Sequence, residues 1–276
     1  MSKRLIGVAL TSVVVVLSVG ACGNGGDDTG SSVVDRAAKD KKLVIGVKAD
    51  QPGLGLRTPD GTFTGFDIDV AKYVAKELGV DEKDITFKEA VSANREAFLQ
   101  QGQVDMVVAT YSINDARKQK VSFAGPYLVA GQALLVRKDN KNITGPQSLN
   151  GKKLCSVAGS TSAQLIKDKY AKDVQLQEER TYSACVDRVL SGQLDAVTTD
   201  NSILYGYAAQ HPGKLRVVGS PFSQEKYGIG LKKDDKKGRE AVNDALAKMV
   251  SDGSWNVALK ANLSASEFFF PRLERY

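Results

Sequence analysis

Gly102-Gln103-Val104-Asp105-Met106-Val107-Val108-Ala109-Thr110-Tyr111-Ser112-Ile113-Asn114-Asp115-Ala116-Arg117 is the stretch on which the fold turns. Its first half is a short apolar run behind a Gly-bearing turn, the pattern of a buried strand in a parallel sheet. Its second half switches to hydroxyls and then places an Arg one or two turns into the next helix. In open α/β sheets, ligands bind beyond the carboxyl ends of the strands. Thr110, Ser112 and Arg117 at that end can grip a carboxylate through a bidentate guanidinium and helix N-terminal N–H groups.

About ninety residues on, the pattern returns as Gly192-Gln193-Leu194-Asp195-Ala196-Val197-Thr198-Thr199-Asp200. This time the polar tip is an acid. One half of the chain offers Arg117 and the other offers Asp200, the two opposite charges that an amino acid zwitterion needs. Two ordinary βαβ units with solvated loop ends would give the same pattern, so the rest of the chain has to decide.

The chain has 276 residues, enough for one large domain or two small ones, and its 42% hydrophobic and 25% charged content is globular. Its net charge of +6 is modest, and its Lys and Arg residues are interspersed with acids, which argues against a nucleic-acid surface. Lys3 and Arg4 form a basic n-region, and Leu5 to Val19 an apolar h-region too short for a comfortable membrane span. Val19-Gly20-Ala21-Cys22 then resembles a bacterial lipobox, in which the Cys becomes the acylated first residue; a plain signal peptide with an incidental Cys is the alternative. Gly23 to Ser32 is rich in Gly, Asp, Ser and Thr and reads as a flexible tether. Residues 1–21 are therefore assigned as leader and 22–39 as a lipid-anchored tether outside the cytoplasm.

With Cys22 used for lipid, Cys155 and Cys185 remain, and two Cys in an exported protein are expected to pair. Their loop of about 30 residues corresponds to roughly 3–4 kcal/mol in the chain-entropy model. A catalytic Cys would need a His, and the only one is His211, beside Pro212 in a turn-like stretch.

Leu43-Val44-Ile45-Gly46-Val47 reads as a buried strand with Lys48 at its carboxyl end, followed by a Gly- and Pro-rich loop that reaches Arg57. Asp67 and Asp69 lie at the start of a helix through Leu78, where acids offset the macrodipole, and they are read as capping residues. Ser92-Ala93-Asn94-Arg95 opens a further helix. Arg95 sits at the end that disfavours cations, so an anionic partner is expected nearby. Gln132 to Val136 is read as the first crossover between two lobes. Gly159-Ser160-Thr161-Ser162 joins a strand to a helix and forms a small anion-holding nest. Tyr227 to Leu231 is read as the return strand, with two helices after it.

Taken together, Gly65-Phe66-Asp67-Ile68-Asp69-Val70, Ser112-Ile113-Asn114-Asp115-Ala116-Arg117, Gly159-Ser160-Thr161-Ser162 and Asp200 resemble the bacterial solute-binding proteins of family 3, which deliver polar amino acids to ABC importers. The resemblance covers about residues 40 to 262. It is strongest to actinobacterial glutamate-binding lipoproteins, through Asp50-Gln51-Pro52-Gly53-Leu54-Gly55-Leu56-Arg57, Ala109-Thr110-Tyr111-Ser112-Ile113-Asn114 and the Cys155/Cys185 pair. The resemblance implies an α/β, two-lobed type II periplasmic binding protein fold, each lobe a mixed sheet flanked by helices, with two crossover strands. The lobes are placed at 40–130 with 227–276, and at 131–226. It also implies roles. Arg117 holds the ligand α-carboxylate with Thr110, Ser160 and Thr161, and Asp200 holds the α-ammonium. Lys48, Arg95 and Ser92 clamp a side-chain carboxylate, and Tyr182 contributes a polar ring. The sequence departs from the family where Gly53-Leu54 replaces the usual aromatic and Lys48 a common Arg.

The charge balance points the same way. Glutamate carries two carboxylates and one ammonium, and burying it requires a partner for each, because an unpaired buried charge costs several kcal/mol. Arg117 and Asp200 cancel the zwitterion, and Lys48, Arg95 and Arg57 are the cations left for the side chain. The expectation is a monomeric, non-enzymatic receptor without metal or cofactor. It closes on L-glutamate and presents it to an ABC permease and its ATPase. Aspartate, glutamine or asparagine are the alternatives within the class. A dehydratase sharing the fold is the enzymatic alternative.

Overall fold

The structure, a computed structural model, describes residues 32–170, 173–263, 268, 271, 272 and 274–276. The leader, Cys22 and most of the tether lie outside the described residues. Helix α1 (Val33–Asp40) leads into strand β1 (Leu43–Val47), and a small hairpin sheet follows, β2 (Asp50–Gln51), β3 (Gly55–Arg57) and β4 (Phe63–Thr64). Then come α2 (Phe66–Glu77), β5 (Ile85–Glu89), α3 (Arg95–Gln100), β6 (Met106–Val108), the one-turn helix α4 (Asp115–Lys118) and β7 (Ser122–Ala130). The chain passes over Gly131 into β8 (Gln132–Arg137), β9 (Lys153–Val157), α5 (Thr161–Tyr170), β10 (Gln175–Glu179), α6 (Tyr182–Leu190), β11 (Ala196–Asp200), α7 (Asn201–Gln210) and β12 (Leu215–Val218). It returns through β13 (Glu225–Leu231) to α8 (Lys236–Ser251) and α9 (Ser254–Asn262).

Two five-stranded sheets result, ordered β5-β1-β6-β13-β7 and β10-β9-β11-β8-β12. In each, three strands run parallel and the other two bring antiparallel pairing, so both sheets are mixed. The first crossing continues from β7 into β8, so the crossover begins in β7, earlier than the Gln132 start read from sequence. Around the first sheet the core gathers Phe66, Tyr127 and Trp255, with the indole N–H of Trp255 donating to the Tyr127 carbonyl. Cys155 and Cys185 form a disulfide joining β9 to α6.

The Gly-Gln-apolar-Asp repeat has a structural meaning in both lobes. Asp105 Oδ2 accepts the N–H of Val44, at the second residue of β1, while the Asp105 N–H donates to the Val44 carbonyl. Asp195 makes the same two-bond ring with Lys153 at the start of β9. Each acid thereby locks the register of two adjacent parallel strands. Losing the partner of a buried backbone N–H costs about 1–3 kcal/mol. Urea unfolding of Asp105→Ala is expected to show a loss in that range. Asp195→Ala is expected to lose less, because its bond is exposed to water.

Candidate solute-binding site

The carboxyl ends of β6 and β11 face one crevice between the lobes, lined by Ser92, Arg95, Thr110, Ser112, Arg117, Ser160, Thr161, Ser162, Tyr182, Asp200 and Ile203. The cavity left between these side chains is about 10 Å³, room for little more than one water, so a solute enters it only as the walls part. A wider groove between α2, α8 and α9 opens to solvent around Tyr73, Met249 and Val257. Its Lys72 is paired with Glu82, and no buried charges converge there.

Arg117 is buried by the turn that follows β6. The Asn114 side chain caps α4 by accepting the Arg117 N–H, which fixes where the guanidinium begins. Its Nη1 donates to the Ser112 carbonyl at 2.7 Å, and its Nη2 reaches across the cleft to the Gly159 carbonyl at 2.9 Å. Glu96 lies 3.4 Å from Nε. Gly159 is needed at this crossing: its φ of +76° is left-handed, and a Cβ there would lie 2.7 Å from the Ala93 Cα of the other lobe.

Arg95 is 2% exposed. Its donors go to backbone carbonyls, Nη1 to Ala109 at 2.9 Å and Thr110 at 3.1 Å and Nε to Ser92 at 3.3 Å, and its guanidinium stacks on Tyr111 at 4.2 Å. The anionic partner expected from sequence is not a carboxylate in salt-bridge range among the described residues. Carbonyl dipoles orient this cation without cancelling its charge. Burial, with Arg117 nearby, lowers it to about 10, so it stays charged at neutral pH. Lys48 is buried beside it and donates to Ser92 Oγ at 2.8 Å. Burial, then repulsion from Arg95, lowers its ammonium to about 7. On the opposite wall, burial and the neighbouring Glu225 push the Asp200 carboxyl up to about 7, while Tyr227 donates to Asp200 Oδ2 at 2.5 Å.

Ser92, Arg95, Thr110, Arg117, Ser160, Thr161, Tyr182 and Asp200 therefore share one crevice, and Lys48 stands directly behind Ser92. Arg57 does not join them. It is exposed on the β3–β4 hairpin with its guanidinium 5.9 Å from the Phe63 ring, because its place in the strand turns it to solvent. Asp67 is also corrected: it makes no capping bond on α2. Fully buried, it accepts the Thr110 N–H at 2.7 Å and the Tyr127 hydroxyl at 2.8 Å, holding Thr110 in its left-handed conformation (φ 44°). Its position between apolar Phe66 and Ile68 was the available sign of burial. Glu225 was missed because the return strand starts two residues earlier than its apolar run; its carboxylate accepts from Ser223 and from Thr161 at 2.9 Å each.

Residues 43–263 match the model of the bacterial extracellular solute-binding proteins, family 3. The chain belongs to this family. It is 48% identical over 272 residues to the glutamate-binding protein GluB of Corynebacterium glutamicum, covering 95% of this chain and 88% of that protein. It is 40% identical to the ABC transporter glutamine-binding protein GlnH of Bacillus subtilis, covering 94% and 96%. A solved ancestral arginine-binding protein bound to arginine superposes with a TM-score of 0.76 at 36% identity, over 81% of this chain and 98% of that one. The fold is thus the two-lobed type II periplasmic-binding-protein fold that the sequence resemblance implied. Family members bind different solutes on this frame, so the side chains of the crevice have to decide which one this chain takes.

Proposed function

We propose that this protein is the extracytoplasmic receptor of an ABC importer for L-glutamate, anchored by lipid on Cys22, that closes around the amino acid and presents it to the permease and its ATPase. The observation that carries the reading is the charge content of the crevice. Arg95, Arg117 and Asp200 line the crevice with Lys48 behind Ser92, a set that complements two carboxylates and one ammonium. The buried acids Asp67 and Glu225 lie behind its walls, held by Thr110 and Tyr127 and by Ser223 and Thr161. In this reading Arg117, with Thr110, Ser160 and Thr161, takes the α-carboxylate, and Asp200 takes the ammonium. Arg95 and Lys48, with Ser92, take the side-chain carboxylate, and Tyr182 closes the wall. The glutamate-binding relative supports this choice of solute. The glutamine-binding relative favours glutamine as the second reading, but glutamine would leave the charge of Arg95 without a partner.

Titration calorimetry of the leaderless Cys22→Ser protein against every standard amino acid tests this. Glutamate is expected to bind tightest, and a preference for glutamine would overturn the assignment. Mass spectrometry of hydroxyl-bearing carboxylic acids after long incubation, read for loss of water, separates a receptor from a dehydratase. Radiolabelled palmitate incorporated into the wild-type chain but not into Cys22→Ser tests the anchor.

The cleft also sets a pH dependence. With the lobes together Asp200 sits near 7 against an ordinary 3.8, so its contribution to stability is present below 3.8 and lost as pH rises to about 7. Lys48 sits near 7 against an ordinary 10.5, so its contribution is present above 10.5 and lost as pH falls to about 7. The two groups together therefore disfavour lobe closure most near neutrality, where a ligand bearing both charges restores most. The rise in thermal midpoint on saturation with glutamate is expected to peak near pH 7 and to shrink toward pH 4 and pH 10. A flat profile in differential scanning fluorimetry would contradict this.

A further inference from the structure

The charged crevice closes on one side through Arg117 and Gly159. The other side closes through residues that, Tyr182 apart, line no part of it. Asp50, on the hairpin of the first lobe, reaches into the second lobe and accepts the N–H groups of Tyr182 at 2.8 Å and Ser183 at 3.1 Å. These are the first two amides of the nine-residue helix α6, which its own cap leaves open because Thr181 takes the N–H of Ala184. The hydroxyl of Tyr207 on α7 donates to both the backbone carbonyl and Oδ2 of Asp50. Two residues on, the Pro52 carbonyl packs so closely on α7 that a Cβ at Gly206 would fall 2.1 Å from its oxygen.

A carboxylate from one lobe thus completes the cap of a helix in the other, and that helix begins with Tyr182, a wall of the crevice. These bonds tie the two lobes directly to each other. We propose that Asp50 is a positioning residue for solute capture: by capping α6 across the cleft it holds the closed state and sets how slowly bound solute escapes. The inference rests on the receptor reading above. Because the clasp forms after encounter, its loss acts on the dissociation rate, while association proceeds as before.

Stopped-flow binding of glutamate tests it. Losing such a cap is expected to speed dissociation about five- to thirtyfold in Asp50→Ala, with the association rate within about twofold. Asp50→Asn keeps an oxygen acceptor and is expected to recover most of the slow release. Gly206→Ala obstructs the same side by a different route. It raises the intrinsic helix propensity of α7, so it does not work by weakening the second lobe, and it is expected to speed release as well. An unchanged dissociation rate in both Asp50→Ala and Gly206→Ala, or a loss of affinity carried by slower association alone, overturns the proposal. If the wild-type protein binds no standard amino acid, the receptor reading fails. The clasp is then judged by the distance between spin labels at Lys83→Cys and Lys141→Cys in the Cys22→Ser background. Both clasp variants are expected to lengthen that distance, and no change overturns the clasp.

Discussion

Arg117→Ala is expected to weaken glutamate binding by about 3–5 kcal/mol, a factor of roughly 10² to above 10³. The substitution leaves the ligand α-carboxylate without its guanidinium inside a crevice that water does not reach freely, and an uncompensated buried charge is the costly outcome. It also removes the bond from Nη2 to the Gly159 carbonyl, so the closed state loses a tie across the cleft. Arg117→Lys keeps the charge but lacks the planar fork that serves Ser112, Gly159 and a carboxylate together, so it is expected to recover only part of the affinity. Asp200→Asn is the complementary case. It keeps an acceptor for the Tyr227 hydroxyl but removes the negative charge opposite the ammonium, with an expected loss of similar size. Calorimetry measures both. Wild-type affinity in either variant would remove the zwitterion clamp, and with it the functional reading.

That Arg117 and Asp200 come to one crevice was legible in the sequence because strand ends and chemistry coincide there. Met106 to Val108 and Ala196 to Asp200 are buried strands in equivalent places of two similar sheets, so the residues following the apolar run had to meet at the cleft. Arg95 was legible as a cation in the wrong place, but its surroundings were not. Local pattern predicts a charge in need of compensation; it does not reveal that carbonyls from residues 109 and 110 orient it. Asp50, Asp67 and Glu225 escaped for the same physical reason. Each acts on a group far along the chain, Asp50 on Tyr182, Asp67 on Thr110 and Glu225 on Thr161, where periodicity and capping rules carry no information. Arg57 failed in the opposite direction: a cation beside a Gly-rich loop looks available, but a hairpin residue facing outward is solvated.

In the proposed reading, selectivity for the side chain rests on the remaining cations, and their effects separate by pH. Arg95→Met is expected to cost glutamate about 3–5 kcal/mol, because the substitution strands the side-chain carboxylate, while glutamine loses much less. The ratio of the two affinities is the decisive readout. Damage to the Thr110 turn that Arg95 also supports would weaken both ligands together and leave the ratio alone. Lys48→Met is expected to act in the same direction but less at neutral pH, since burial already brings its ammonium close to neutrality while Arg95 remains charged. The preference of the wild-type protein for glutamate over glutamine should therefore decline between pH 6 and 8.5, as the positive charge on Lys48 is lost. In Lys48→Met that slope should vanish while a preference carried by Arg95 persists. If both variants kept the wild-type ratio at every pH, the two buried cations would have no part in reading the side chain, and the choice of glutamate over glutamine would need another source.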